Sequence, residues 1–310
     1  MSQLPSILDA HVHLYDPTRV HYPWMSKVPQ LDKPHLPKDY WAQASGCGIE
    51  ACIWVEVNAG PGEYLGEARL TELWRDMEPR LTGMIASVPL DRGPIIERYL
   101  QELLYLRGIV GLRTLIETHV EELGWALREP FVNQLRHATG PEGPAFDLCV
   151  RANQLSEVTQ LASLCPETTF VLDHCGKPEI GGDDEAGWQV DLSALAAQPN
   201  TFCKLSGLAT EVASGPPTAQ RIKPYLEHAV AAFGPERVMF ASDWPICTLA
   251  MPLKEWVALV HDVAEPLGAD ALHDIFWGTA NRAYRLGRRE QPADSLHKED
   301  RRISRRMGRY

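Results

Sequence analysis

Several absences narrow this sequence before any motif does. Nowhere in its 310 residues does an apolar run approach the roughly 20 needed to cross a bilayer, so no membrane anchor is expected. Basic residues are in deficit, 30 Lys and Arg against 41 Asp and Glu, for a net charge of −11. That balance argues against a nucleic-acid or anionic-membrane partner, because binding phosphate draws on surplus positive charge. Cysteines are few, scattered and odd in number, at 47, 52, 149, 165, 175, 203 and 247, with no Cys-x-x-Cys pair. They read as reduced thiols, and Cys175, beside His174, is the one to watch. No Gly-x-Gly-x-x-Gly follows the first apolar segment, which removes the fingerprint of a dinucleotide fold. The N-terminus lacks the basic, apolar and small-residue order of a secretory signal, so a cytoplasmic protein is expected. With 45% hydrophobic and 23% charged residues the chain is globular, which excludes disorder and fibre.

What is present is a rhythm. Short apolar runs rich in β-branched and aromatic residues occur at 7–13, 51–57, 81–88, 108–113, 145–150, 168–174, 201–206 and 237–243. Helical patterns bounded by Gly, Pro or capping residues lie between and after them, at about 67–78, 94–105, 122–137, 154–164, 188–197, 217–233, 252–266 and 271–285. Near-continuous apolar strands alternating with helices imply a parallel sheet covered by helices. Eight such units in this length fit a single α/β domain closed as a (β/α)8 TIM barrel over residues 1–287, with a doubly wound open sheet as the runner-up. A basic tail, 288–310, with Arg301, Arg302, Arg305, Arg306 and Arg309, follows. One segment breaks the rhythm: residues 15–45, rich in Pro and aromatics, read as a long loop at the mouth of the barrel.

Barrel enzymes place their chemistry at the C-terminal ends of strands. Here the first strand ends in His11-Val12-His13, the fourth in Arg113, the sixth in Asp173-His174 and the eighth in Asp243, while the seventh carries Lys204. Side chains on a strand alternate with period two, so His11 and His13 point the same way as a pair of imidazole ligands. With a carboxylate they supply a nitrogen-and-oxygen site for a zinc-like ion with an open position for water. Each element also has a plainer reading. Asp173-His174 can be a structural carboxylate-imidazole pair, Arg113 a salt-bridge residue, Asp243 a helix cap, and Glu56 a partner for Lys204 across the mouth.

Taken in order, Ile7-Leu8-Asp9-Ala10-His11-Val12-His13-Leu14-Tyr15-Asp16-Pro17, Tyr22-Pro23-Trp24, Gly111-Leu112-Arg113, Leu172-Asp173-His174-Cys175-Gly176-Lys177-Pro178, Lys204-Leu205-Ser206-Gly207 and Ser242-Asp243-Trp244-Pro245 resemble the sugar-lactonase branch of the amidohydrolase superfamily. That branch holds hydrolases of fuconolactone and rhamnonolactone type and relatives that open muconolactone or pyrone rings. The resemblance runs over about residues 7–286. It implies His11, His13 and Asp243 as a site for one divalent metal, zinc foremost, in a branch whose members differ in whether activity needs metal. It also implies Asp243 as general base, His174 as a ligand or a hydrogen-bond donor to the reacting oxygen, and Arg113 and Lys177 as binders of substrate oxygens. Two departures stand out: the fourth strand ends in Arg113 where binuclear relatives carry a bridging lysine or glutamate, and the fifth strand ends without a histidine.

A lactone hydrolase needs an activated water, a polarised carbonyl and a proton for the departing alkoxide. Asp243 suits the first and last tasks, and Arg113, His174 and Lys177 the second. Tyr22, Trp24 and Trp244 are the expected apolar wall against a sugar ring. The expected function is therefore hydrolysis of an aldonolactone. An amide hydrolase or a metal-dependent decarboxylase on the same barrel is the alternative enzyme, and an inactive ligand-binding barrel the non-enzyme reading. Substrate choice is assigned to residues 15–45, 58–66 and 180–187. Nothing in the sequence sets an oligomeric state.

Overall fold

The computed structural model describes residues 5–287, so the basic tail at 288–310 lies outside the described residues. Eight strands form one sheet in sequence order, every neighbouring pair parallel: β1 Ile7–Val12, β2 Ile49–Val55, β3 Leu81–Ser87, β4 Ile109–Leu115, β5 Ala145–Cys149, β6 Phe170–Leu172, β7 Thr201–Leu205 and β8 Val238–Phe240. Backbone bonds just past β8 close the ring onto β1, with Asp243 N donating to the His11 carbonyl at 2.9 Å and His13 N to the Trp244 carbonyl at 2.7 Å. The Asp9 carboxylate holds the same seam, accepting from Ser242 N and the Tyr40 hydroxyl, each at 2.8 Å. The expected (β/α)8 barrel is thus the fold. Among the described residues no helix is long and apolar enough to cross a membrane.

Among the described residues ten α-helices follow in chain order: α1 Pro37–Ala44, α2 Tyr64–Met77, α3 Ile96–Leu104, α4 Glu129–Thr139, α5 Leu155–Leu164, α6 Glu185–Ala196, α7 Ala219–Phe233, α8 Leu253–Ala264, α9 Ala269–His273 and α10 Thr279–Ala283. Their apolar stripes pack on the outside of the strands. In α3, Ile96, Leu100 and Leu103 recur at helical spacing and are buried, while Arg98, Glu102 and Leu104 face out. The outer face of the strands, with Val12, Trp54, Leu112, Phe146 and Leu148, joins this layer.

The lumen is filled by a second cluster that includes Leu8, Ala10, Ile53, Val55, Ile85, Val110, Val171 and Met239, plugged by Tyr284 from the end of α10. Glycine makes room for that plug. A Cβ at Gly111 would stand 2.8 Å from Ile85 Cγ1 and 3.3 Å from Tyr284 Cε1. Above this apolar plug the polar and charged side chains His11, Arg113, Asp173 and Asp243 gather, and the site begins there.

Two segments differ from expectation. Residues 15–45 are not a plain loop: they hold a Tyr15↔His35 bridge, a short 3-10 turn at Pro23–Lys27, and α1. The signals for α1 were local, a proline at its first turn and Asp39 accepting from Leu36 N at 3.0 Å. The helix expected over 122–137 starts only at Glu129, because Gly124 adopts φ 84° and breaks the run into 3-10 turns.

Candidate active site

At the C-terminal rim of the strands a cavity of about 240 Å3 is lined by His13, Trp24, Asn58, Arg113, Glu117, His174, Lys177, Glu211 and Asp243, among others. His11 lies just beneath, fully buried. A register shift between Asp9 and Val12 lets the chain turn His11 and His13 toward the mouth while Val12 packs outward. His13 Nδ1 lies 3.0 Å from the Val55 carbonyl, which can only accept, so this nitrogen carries the hydrogen and Nε2 presents its lone pair. His11 Nε2 is 3.1 Å from that atom, and Asp243 Oδ1 is 3.3 Å from His13 Nε2 and 3.7 Å from His11 Nε2. Donors bound tetrahedrally at about 2.0–2.1 Å stand about 3.3 Å apart, so this set fits one divalent ion. His174 adds Nε2 at 4.0 Å from Asp243 Oδ1, and His11, His174 and Asp243 together form a buried group of ligand type.

The electrostatics keep these donors in their ligating forms. Burial, reinforced by Lys204, drives His11 well below the usual imidazole range. Burial also lowers His174 to about 4, against the pull of Asp243. For Asp243 burial works the other way, yet His174, His13 and Lys177 outweigh it and hold the carboxyl below its ordinary value. At neutral pH the mouth therefore holds His11 and His174 as neutral imidazoles beside a charged Asp243 carboxylate.

Backbone strain gathers at the same place. Among the described residues six non-glycine positions have positive φ, and four of them line the cavity: Asn58 (55°), His174 (54°), Lys177 (49°) and Asp243 (61°). Left-handed conformations cost about 1–3 kcal/mol each for ordinary side chains and persist where the surroundings impose them. The chain leaves β6 in a left-handed turn that carries His174 to the rim, where Ser206 Oγ meets its Nδ1 at 2.8 Å.

Below the donors lies a charged floor that the sequence reading recognised only in part. Arg113 donates Nε to Glu56 Oε1 at 2.6 Å, Nη2 to the Glu56 carbonyl at 2.7 Å and Nη1 to Asp173 Oδ2 at 3.0 Å. The expected Glu56–Lys204 pairing is therefore corrected: Glu56 holds Arg113, whose planar fork matches a carboxylate and a carbonyl together. Lys204 instead contacts Asp147, which the sequence reading passed over, and Asp173 Oδ1 at 2.9 Å. Burial pushes Asp147 up to about 6 in spite of Lys204. Asp173 does not pair with its neighbour His174 but bridges Arg113, Lys204 and His11, which outweigh its burial and hold it well below the usual carboxylate range.

At the outer edge Lys177 donates to Glu117 Oε2 at 2.6 Å, and Arg151 pairs with Glu211 at 3.0 Å. Two expected aromatic walls are not walls. Tyr22 is buried in a loop cluster with Tyr15 and Met25, and Trp244 is fully buried edge-on to Tyr40 and His35; only Trp24 lines the cavity. Both were expected at the mouth from their place beside it in sequence, but large rings in short connections fill the gaps under the loops. Cys175 is also core, its Sγ 3.4 Å from the Lys204 carbonyl, and all seven cysteines are buried and unpaired. Of the three segments assigned to substrate choice, the first two reach the cavity through Trp24 and Asn58. The third lines a neighbouring cavity of about 470 Å3 through Asp184 and Glu185.

The amidohydrolase family profile matches residues 8–286. The chain belongs to the amidohydrolase family. This amidohydrolase is 31% identical over 306 residues to an L-fucono-1,5-lactonase of Burkholderia multivorans, spanning 93% of this chain and 98% of that protein. It is 33% identical over 183 residues to an L-fucono-1,5-lactonase of Burkholderia ambifaria, spanning 57% of this chain and 62% of that one. A crystal structure of an amidohydrolase from Burkholderia multivorans with bound zinc matches with a TM-score of 0.80 at 29% identity, over 92% of this chain and 100% of that chain. This amidohydrolase is a hydrolase built on the barrel described above.

Proposed function

We propose that this amidohydrolase opens the ester ring of a lactone, and that its substrate is a sugar lactone of the aldonolactone type. The observation that carries the reading is the Asp243 carboxylate, held charged among three imidazoles at the base of the 240 Å3 cavity. The likeness to two fuconolactonases supports the substrate class. So does the pairing of Lys177 with Glu117 and of Arg151 with Glu211, an arrangement rich in donors and acceptors for hydroxyl groups.

In this reading His11, His13 and Asp243 hold a divalent ion, which when bound lowers the pKa of water and polarises a carbonyl. Asp243 takes the proton from the attacking water and returns it to the ring oxygen as that oxygen leaves, so that lactone and water give a hydroxy acid. His174 Nδ1 lies 2.8 Å from Ser206 Oγ; in this reading the hydroxyl donates there, so the ring carries its hydrogen on Nε2 and donates it to the reacting carbonyl oxygen in place of ligating the ion. Lys177 has two further N–H groups beyond the one given to Glu117, and these bind ring hydroxyls. Arg113 acts through Asp173 and His11: its fork is committed to Glu56 and Asp173 and fixes the floor on which the donors stand.

The test is a panel of fucono-, rhamnono- and other aldonolactones followed with a pH indicator, beside amides and aromatic carboxylic acids, on metal-free protein and again with zinc or manganese. Turnover of neutral aldonolactones is expected. Amide hydrolysis or decarboxylation without lactone opening would overturn the assignment.

A further inference from the structure

Behind the cavity lies a second group of ligand-type side chains, of which the reaction above uses only His11. His11, Asp147 and Asp173 each offer one ligand atom, all within 4.8 Å of one another, and all three residues are shut from solvent. They come from β1, β5 and the residue after β6. Between them stands a cation of the chain itself, the ammonium of Lys204 on β7. Nζ lies 3.1 Å from His11 Nδ1 and 2.9 Å from Asp173 Oδ1, and it donates to Asp147 Oδ2. The remaining oxygens are occupied elsewhere: Tyr284 donates to Asp147 Oδ1 at 2.9 Å and Arg113 to Asp173 Oδ2 at 3.0 Å. Each carboxylate thus gives one oxygen to a structural donor and turns the other toward the same point.

Two carboxylates in a fully buried floor stay charged only with positive charge in contact. Asp173 Oδ1 makes no well-aligned hydrogen bond, although a cation stands 2.9 Å away. It is held chiefly by charge, from Lys204 and from its contact with His11 Nδ1 at 3.2 Å, a demand that a spherical ion meets equally well. Two carboxylate oxygens and an imidazole nitrogen are, moreover, a donor set suited to common divalent ions.

We propose that the Lys204 ammonium occupies a latent second cation site made by His11 Nδ1, Asp147 and Asp173, and that its presence limits this amidohydrolase to at most one divalent ion per chain. The proposal concerns ion stoichiometry and stands whether or not the lactone reading does. A tethered ammonium supplies one positive charge that no chelator removes. An ion in its place would supply two charges and would be exchangeable.

Lys204→Ala removes the ammonium with three methylenes and leaves space at the point where the ligand atoms converge. Wild type and variant are equilibrated with excess manganese or zinc, desalted, and counted by mass spectrometry of the metal. The variant is expected to take up one ion more per chain than wild type. The extra ion is expected to be lost in Lys204→Ala/Asp147→Asn, and also when saturating n-propylammonium, the severed part of the side chain, is supplied. A neutral imidazole gives only one ring nitrogen to a metal, so when the mouth ion takes His11 Nε2 the second ion rests on the Asp147 and Asp173 oxygens, and the readout is still a difference of one ion. The proposal is overturned if wild type binds two ions with the second lost in Asp147→Asn. It is equally overturned if Lys204→Ala, native by circular dichroism, binds no more than wild type. Should the variant not fold alone, refolding on addition of manganese or propylammonium supports the proposal, and refolding with neither overturns it.

Discussion

Replacing Arg113 by methionine tests the charged floor most directly. The guanidinium makes three short hydrogen bonds, two to Glu56 and one to Asp173, and all three side chains are almost wholly shut from water, at 5%, 1% and 0% exposure. Methionine matches much of the volume but leaves Glu56 without its cation and Asp173 with Lys204 alone. Removing one partner of a buried pair costs about 3–5 kcal/mol, because the uncompensated carboxylate stays buried. At about 2–3 °C per kcal/mol for a large domain, Tm should fall by about 6–15 °C. The pH dependence gives the sharper check. In the native protein Asp173 has a depressed pKa, so its contribution is present above the ordinary carboxylate value and is lost as pH falls through the folded value. Arg113→Met forfeits part of that contribution, so the gap to wild type should hold from pH 7 down to the ordinary carboxylate value of 3.8 and narrow below it, toward about pH 3. Urea unfolding of both proteins at the two ends of that range measures it. A gap under about 1 kcal/mol at pH 7, or one unchanged by acid, would refute the reasoning.

Further outcomes follow from the same geometry. Asp243→Asn keeps the volume and removes the base, so kcat on lactones should drop by about 10²–10⁴ with the circular-dichroism spectrum unchanged; near-native turnover would contradict the proton route. In metal-free protein the His174 imidazole should titrate near pH 4 by NMR, because burial disfavours its charged form, and a midpoint near 6.5 would show that water reaches it. Glu117→Gln takes away the carboxylate 2.6 Å from Lys177 and leaves the cavity one unit more positive. Lactones bearing a carboxylate should then gain in kcat/KM relative to neutral ones by about tenfold, the low end for one charge-assisted hydrogen bond, and an unchanged ratio would show that Lys177 does not reach substrate.

How much of this could be read from the chain depends on the range of the interaction. Strand existence and order were legible because burial on both faces of a parallel sheet leaves near-continuous apolar runs, as at Ile49–Val55. His11 and His13 were legible as a pair because period two is local geometry. Asp173, His174 and Asp243 were legible because each ends an apolar run where a hydrophobe is the default. Asp147 was missed inside Ala145–Cys149 because its neighbours are apolar and its partners, Lys204 and Tyr284, lie 57 and 137 residues away. Helix α1 was missed for a different reason, since its proline and acidic first turn sit in a segment whose composition reads as loop.

The sequence by itself determined the barrel and the set of groups at its mouth, because periodicity and the cost of burying charge both act over a few residues. Only the tertiary structure decided which charge answers which. Glu56 meets Arg113 and not Lys204, Asp173 turns away from His174, and Tyr22 and Trp244 fill space under the loops instead of facing a substrate. Those choices belong to strand register and barrel closure. They bring β1, β2, β4, β5 and β7 within a few ångströms of one another, and spacing along one strand cannot express that distance.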